Sequence, residues 1–190
     1  MADTHSPDRT GPLAAYEPVS LPRKLAIDPG APTARFTYRG SVETAGDTFG
    51  FTLPSDINEA QTDSDRTAIR LGPDEWLLIA PDGSQAEIVA AFGKISAPHS
   101  LVDISHRNTS IVVEGRRALD VMATASPLDL HETAFPIGMA TRTILGKAEV
   151  ILWRQVADRF HIEVWRSFAD YLFKLLSEGA REYRVPQRGK

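Results

Sequence analysis

Twice along this chain two β-prone runs joined by a tight turn lead straight into a helix, and that repetition limits the folds open to it. In the first unit, residues 67–71 and 75–79 flank Gly72, Pro73 and Asp74, the chemistry of a hairpin connection. The helix that follows begins at Ser84, with Glu87 in the capping-box position. It carries Ile88, Val89 and Phe92 as its apolar stripe and closes at Gly93. In the second unit, residues 149–155 and 160–165 surround Ala157 and Asp158. Ser167 and Asp170 then occupy the capping positions of a helix that ends at Gly179. Its Phe168, Tyr171, Leu172, Leu175 and Leu176 recur at helical spacing. Between the units, 101–104 and 109–113 read as strands, and 116–124 as a short helix using Ala118, Leu119 and Met122 and stopped by Pro127. Upstream, 36–42 and 49–53 are short strand candidates and the polar stretch 57–65 reads as loop. The pattern predicts an α+β domain of mainly antiparallel sheets with helices on one face.

The prolines suggest a boundary near residue 35. Six of the 13 (Pro7, Pro12, Pro18, Pro22, Pro29 and Pro32) fall before it, and proline removes a backbone donor that a central strand needs. Charges there cancel, with Arg9, Arg23, Lys24 and Arg35 set against Asp3, Asp8, Glu17 and Asp28. Leu13, Tyr16, Val19, Leu21, Leu25 and Ile27 are nevertheless more apolar than a solvated linker requires. Residues 1–35 therefore read as an extended Pro-rich arm, either disordered or lying on a partner or on its own domain. Tyr16 and Leu21 are its candidate partner contacts. Residues 36–180 form the single α+β domain and 181–190 a short basic tail.

Composition narrows the chemistry. The absence of cysteine removes disulfides, thiolate metal sites and Cys nucleophiles, and a net charge of −4 argues against binding nucleic acid through bulk electrostatics. No apolar run approaches the ~20 residues of a membrane span, and residues 1–11 lack the apolar core of a signal peptide. A cytoplasmic globular chain is expected. No phosphate loop, dinucleotide fingerprint, zincin or nucleophile-elbow motif occurs, and no two of the five histidines sit at metal-ligand spacing. His161 alternates with Ile162 and Val164, which places it toward solvent together with Glu163. Asp129 and His131 lie in one loop with Ser126, an arrangement that suits a stabilised turn better than a catalytic pair. The densest cluster is Val102-Asp-Ile-Ser-His-Arg107 at a strand end. It reads as a capped strand end with Asp103 bonding nearby amides, or as a contact surface through His106 and Arg107. Trp76, Trp153 and Trp165 fall in strand patterns as core or interface anchors.

At these residues the sequence resembles a known family. Ser100-Leu-Val-Asp-Ile-Ser-His106, then Ile111-Val-Val-Glu-Gly115 and the helix after it, are similar to a segment of the aminomethyltransferase folate-binding fold. Leu71-Gly-Pro-Asp-Glu-Trp-Leu-Leu78, Pro127-Leu-Asp-Leu-His131, Thr141-Arg-Thr-Ile-Leu-Gly146 and Phe160-His-Ile-Glu-Val-Trp-Arg-Ser-Phe-Ala169 together resemble the gamma subunit of heterotetrameric sarcosine oxidase, from about residue 36 to 180. The resemblance implies a part in the oxidative demethylation of sarcosine to glycine, with the one-carbon unit passed to tetrahydrofolate. It implies FAD, FMN, NAD, tetrahydrofolate and zinc in the whole complex, and as partners a large flavin-containing alpha subunit with beta and delta subunits. No cofactor is expected on this chain. Nothing here matches the aminomethyltransferase catalytic Asp, so the resemblance carries over no catalytic, cofactor-binding or metal-binding residue and implies an assembly role. A stand-alone folate-binding or aminomethyltransferase-like module, gripping its ligand through Asp103, His106 and Arg107, is the alternative. A generic interaction domain is a third.

Overall fold

Side chains along the central strands alternate between two covered faces, which is what a strand period of two produces when a sheet has layers on both sides. The structure, a computed structural model, describes residues 10–184. In chain order its elements are β1 (Val19–Leu21), β2 (Leu25–Pro29), β3 (Thr33–Arg39), the single turn α1 (Val42–Ala45), β4 (Ala60–Asp63), β5 (Arg66–Gly72), β6 (Glu75–Pro81), α2 (Gln85–Phe92) and β7 (Ser100–Asp103). There follow β8 (Asn108–Glu114), α3 (Ala118–Ala123), β9 (Ala140–Leu145), β10 (Ala148–Val156), β11 (Arg159–Trp165) and α4 (Arg166–Gly179), with a closing 3-10 turn at Arg181–Arg184. Two antiparallel sheets result. One has the order β1-β2-β8-β11-β10-β9, the other β4-β5-β6-β3-β7.

The layers follow from the alternation. On the six-stranded sheet, Ile111, Val113, Phe160, Ile162, Val164, Val150 and Leu152 point to α3 and α4, meeting Val121, Met122, Leu172, Phe173 and Leu176. On the five-stranded sheet, Phe36, Tyr38, Trp76 and Leu78 point to α2, meeting Ile88 and Phe92. Intervening residues face the opposite sheet, where Ile69, Leu77 and Ile79 pack on Ala140 and Trp153. Each sheet thus has helices on one face and its partner sheet on the other, the α+β arrangement expected.

Both hairpins and the helices after them form as the turn chemistry requires, but their details differ from expectation. Ser84 Oγ donates to the Pro81 carbonyl, and Glu87 accepts from Arg66 at 2.9 Å, so α2 has no side-chain cap. Val89 is exposed. In α4 the buried stripe is Ala169, Leu172, Phe173 and Leu176, shifted so that Phe168 and Tyr171 lie exposed on its flank. Residues 49–53 form no strand, although Phe49, Phe51 and Leu53 are buried. Part of the expected 57–65 loop is the edge strand β4.

The largest departure lies in the Pro-rich stretch. β1 and β2 form a hairpin, and β2 pairs with β8 through Ala26–Glu114 and Ile27–Val113. Leu13, Val19, Leu25 and Ile27 belong to the same apolar cluster as α4, so residue 35 does not divide the packing. The prolines punctuate the strands instead of excluding them. Pro22 sits in the turn and Pro29 lies past the last β1 partner, where its missing N–H breaks no bond to β1. Tyr16 and Leu21, expected to face a partner, pack on the chain's own core, with the Tyr16 ring 5.1 Å from Phe173. Residues 1–9 of the arm and 185–190 of the tail lie outside the described residues.

Candidate functional site: a cleft between the two sheets

Three cross-strand rows line the sheet-facing side of β9, β10 and β11. Ala140, Trp153 and His161 form the closed row, Arg142, Ile151 and Glu163 the middle one, and Ile144 with Glu149 the open one, beyond which β11 ends at Trp165, paired with Asn108 of β8. The sheets splay apart along this series. A cleft of about 240 Å³ opens over the outer two rows, with Thr37 and Glu75 on the opposite wall and Arg107 and Asn108 at one side.

A buried ionic network makes its floor. Arg35 of β3 donates from Nε to Glu163 Oε2 of β11 at 2.7 Å and from Nη2 to Ser110 Oγ at 3.1 Å; both charged side chains are essentially inaccessible. His161 Nε2 lies 2.8 Å from Glu163 Oε1, so both carboxylate oxygens are engaged. Burial alone would raise the pKa of Glu163. The adjacent Arg35 charge and the His161 contact outweigh it and hold the carboxyl below the usual range. Higher on the wall, Glu75 accepts from Arg142 and, at 2.9 Å, from Arg39, which also bonds Asp74 at 3.1 Å. The Arg142 hydrogen bond is the main reason the Glu75 carboxyl is also held low. At the mouth, the Arg107 guanidinium lies 5.5 Å from the centre of the Trp165 ring and donates from Nε to Asn108 Oδ1 at 3.2 Å.

Of the residues singled out from sequence, Arg107 lines this cleft and His106 stands exposed in the turn beside it. Asp103 accepts from the Ser105 amide at 2.8 Å, as a capped strand end should. Asp129 accepts from the His131 amide at 2.9 Å, and His131 Nδ1 meets Thr133 Oγ1, a turn rather than a catalytic pair. Tyr16 and Leu21 border a separate groove beside Phe173 and Lys174. Glu163, expected to face solvent with His161, is instead buried, and the roles of Arg35, Glu75 and Arg142 do not show in their local sequence. The signal available was a charge at an alternate position within an apolar strand, as in Ala34-Arg35-Phe36 and Ile162-Glu163-Val164. Among the described residues no group of three or more His, Asp or Glu could hold a metal ion.

Two antiparallel sheets back to back, with helices outside both, define the class as the aminomethyltransferase-like α+β fold. Aminomethyltransferase T of the glycine cleavage system from Bartonella henselae superposes with a TM-score of 0.66 over 82% of this chain and 46% of that one; at 14% identity the likeness is one of fold. The chain belongs to the sarcosine oxidase, gamma subunit family, whose model matches residues 40–182. Sarcosine oxidase subunit gamma of Corynebacterium sp. (strain P-1) is 31% identical over 147 residues, covering 76% of this chain and 71% of that one. The Arthrobacter sp. subunit gamma is 32% identical over 140 residues, covering 72% and 68%. Among solved structures, the heterotetrameric sarcosine oxidase from Corynebacterium sp. U-96 in complex with pyrrole 2-carboxylate contains a chain that matches with a TM-score of 0.83 and 26% identity, over 95% of this chain and 99% of that one.

Proposed function

We propose that this chain is the gamma subunit of a heterotetrameric sarcosine oxidase and that its part there is assembly, with the chemistry carried by other subunits. One observation carries the reading: Glu163 on the cleft floor and Glu75 on its wall are committed to cations of the same chain, while Glu149 lies exposed at the open edge. A general acid or base must reach a substrate atom and exchange a proton with it. Glu163 is sealed between the sheets with both oxygens engaged, and Glu75 is shared by two guanidiniums. The cleft is also small for tetrahydrofolate. Its 240 Å³ falls below the roughly 300–1,000 Å³ of sites for molecules that size. On this reading folate, FAD, FMN, NAD and zinc belong to the alpha, beta and delta subunits, and the complex oxidises sarcosine to glycine with one-carbon transfer to the folate.

The test is to express the other three subunits with and without this chain, then measure assembled complex and turnover per flavin. Without it, yield of complex should fall while turnover per flavin in whatever assembles stays unchanged. Full assembly with turnover abolished would overturn the assembly role.

A further inference from the structure

Five charged side chains line the cleft, and they fall into two groups. Glu163 is paired with Arg35, and Glu75 with Arg142 and Arg39. Arg107 and Glu149, both exposed, have no ion pair among the described residues. Glu149 lies near enough to Arg142 to help raise its pKa, yet that guanidinium is spent on the two oxygens of Glu75. Arg107 donates from Nε to Asn108 Oδ1, so its two Nη groups have no partner among the described residues and the Asn108 amide nitrogen remains a donor. One cation and one anion are thus left over at the same mouth. Trp165, 44% exposed, stands between them. It pairs with Asn108 of β8 on one side, and on the other Glu149 leads into Val150, the partner of Val164. Strands two places apart in a sheet are separated by about 10 Å, a gap that side chains as long as Arg and Glu narrow to the width of a small molecule.

We propose that the mouth of the cleft binds a small zwitterionic α-amino acid, its carboxylate held by Arg107 and Asn108 and its ammonium by Glu149. A guanidinium stacked on an aromatic ring uses its face and leaves its edge free for a two-pronged bond to a carboxylate. An occupant carrying only a negative charge would face Glu149, and one carrying only a positive charge would face Arg107; like charges at this range repel. A molecule with one charge of each sign satisfies both. Trp165 supplies the apolar wall over its Cα carbon, and the ring face also attracts the ammonium. Volume sets the size, since about 240 Å³ holds an amino acid with a small side chain and lies below the range of drug-sized sites. Binding here moves no proton and breaks no bond, so the inference goes beyond the assembly role without depending on it.

The test uses the full chain and three probes at constant ionic strength: glycine, acetate and methylamine. Trp76 and Trp153 are buried, so iodide quenching of tryptophan fluorescence reports Trp165. Glycine should protect Trp165 along a saturating curve in the millimolar range. Acetate and methylamine each carry one of its charges, and alone or mixed they should need concentrations at least about 10-fold higher, the loss expected when a charged hydrogen-bonding group goes unmatched. R107Q and E149Q should each raise the half-protecting glycine concentration by a similar factor, and both replace exposed side chains, so their urea midpoints should stay near that of wild type. The comparison of probes on the wild-type chain needs no variant and holds whether or not the variants fold. Acetate as effective as glycine would make this an anion site, and methylamine as effective would make it a cation site; either result overturns the proposal. So would glycine that gives no protection up to its solubility, or protection unchanged in both variants. Each of these failures leaves the assembly role standing, because that role is read from complex yield and not from glycine.

Discussion

Arg35 and Glu163 tie the two sheets together within the dry seam, and their burial sets the effect of changing either. Removing one partner strands a charge in the dry seam, so Arg35→Met and Glu163→Leu should each destabilise the chain by about 3–5 kcal/mol in urea unfolding. The double substitution should cost less than either single one, because two apolar side chains leave no unpaired charge behind. The same residues set the response to acid. Glu75 and Glu163 have folded pKa values below the unfolded carboxylate value of about 4.3, so the unfolded chain binds more protons in this range and stability rises with pH. Their contribution is complete above the unfolded pKa and is lost as pH falls through the folded values. Urea midpoints should therefore be flat from neutral pH to about pH 5 and fall below it. Glu75→Gln should make that fall shallower.

Elements whose instructions lie within a dozen residues were legible. The hairpins β5–β6 and β10–β11 carry their own turns, and the helices after them carry their own apolar periodicity. What was not legible depended on distant partners. β2 is five residues long and ends on Pro29, and it is a strand because β8, far along the chain, offers it an edge. β4 is polar because it is a sheet edge, and α1 is a single turn with no period to detect. The candidate site divided in the same way. Arg107 stood out within a local cluster, whereas Glu163 looked solvent-facing because alternation gives the two sides of a strand without saying that a second sheet covers one of them. A distant contact also fixes the β8–α3 turn. Gly115 has φ +117°, and a Cβ there would stand 2.6 Å from the Lys24 carbonyl oxygen at the end of the β1–β2 turn. Gly115→Ala should cost about 1–3 kcal/mol for the backbone conformation alone, and more for pushing the hairpin away. Urea unfolding measures the loss, and faster amide exchange across residues 25–28 would locate it.

Across the whole molecule, the five-stranded sheet is drawn from one continuous stretch, residues 33–103, while the six-stranded sheet takes its strands from both sides of that stretch. Local pairings close cheaply and distant ones slowly. In refolding followed by pulsed amide exchange, β3, β5 and β6 should gain protection before β2 and β11; simultaneous protection would mean that both sheets form in one step. The hairpin made first is thus completed late, and on the ribosome this becomes a delay in time. Residues 25–29 can pair with β1 at once, but their other edge has no partner until residues 108–114 follow, roughly 4–17 s later at synthesis rates of about 5–20 residues per second. β8 in turn needs β11, and the outer face of that sheet needs α4, which ends at Gly179. During that interval Val19, Leu25 and Ile27 are apolar groups on a nascent chain without a sheet, the kind of surface that chaperones bind.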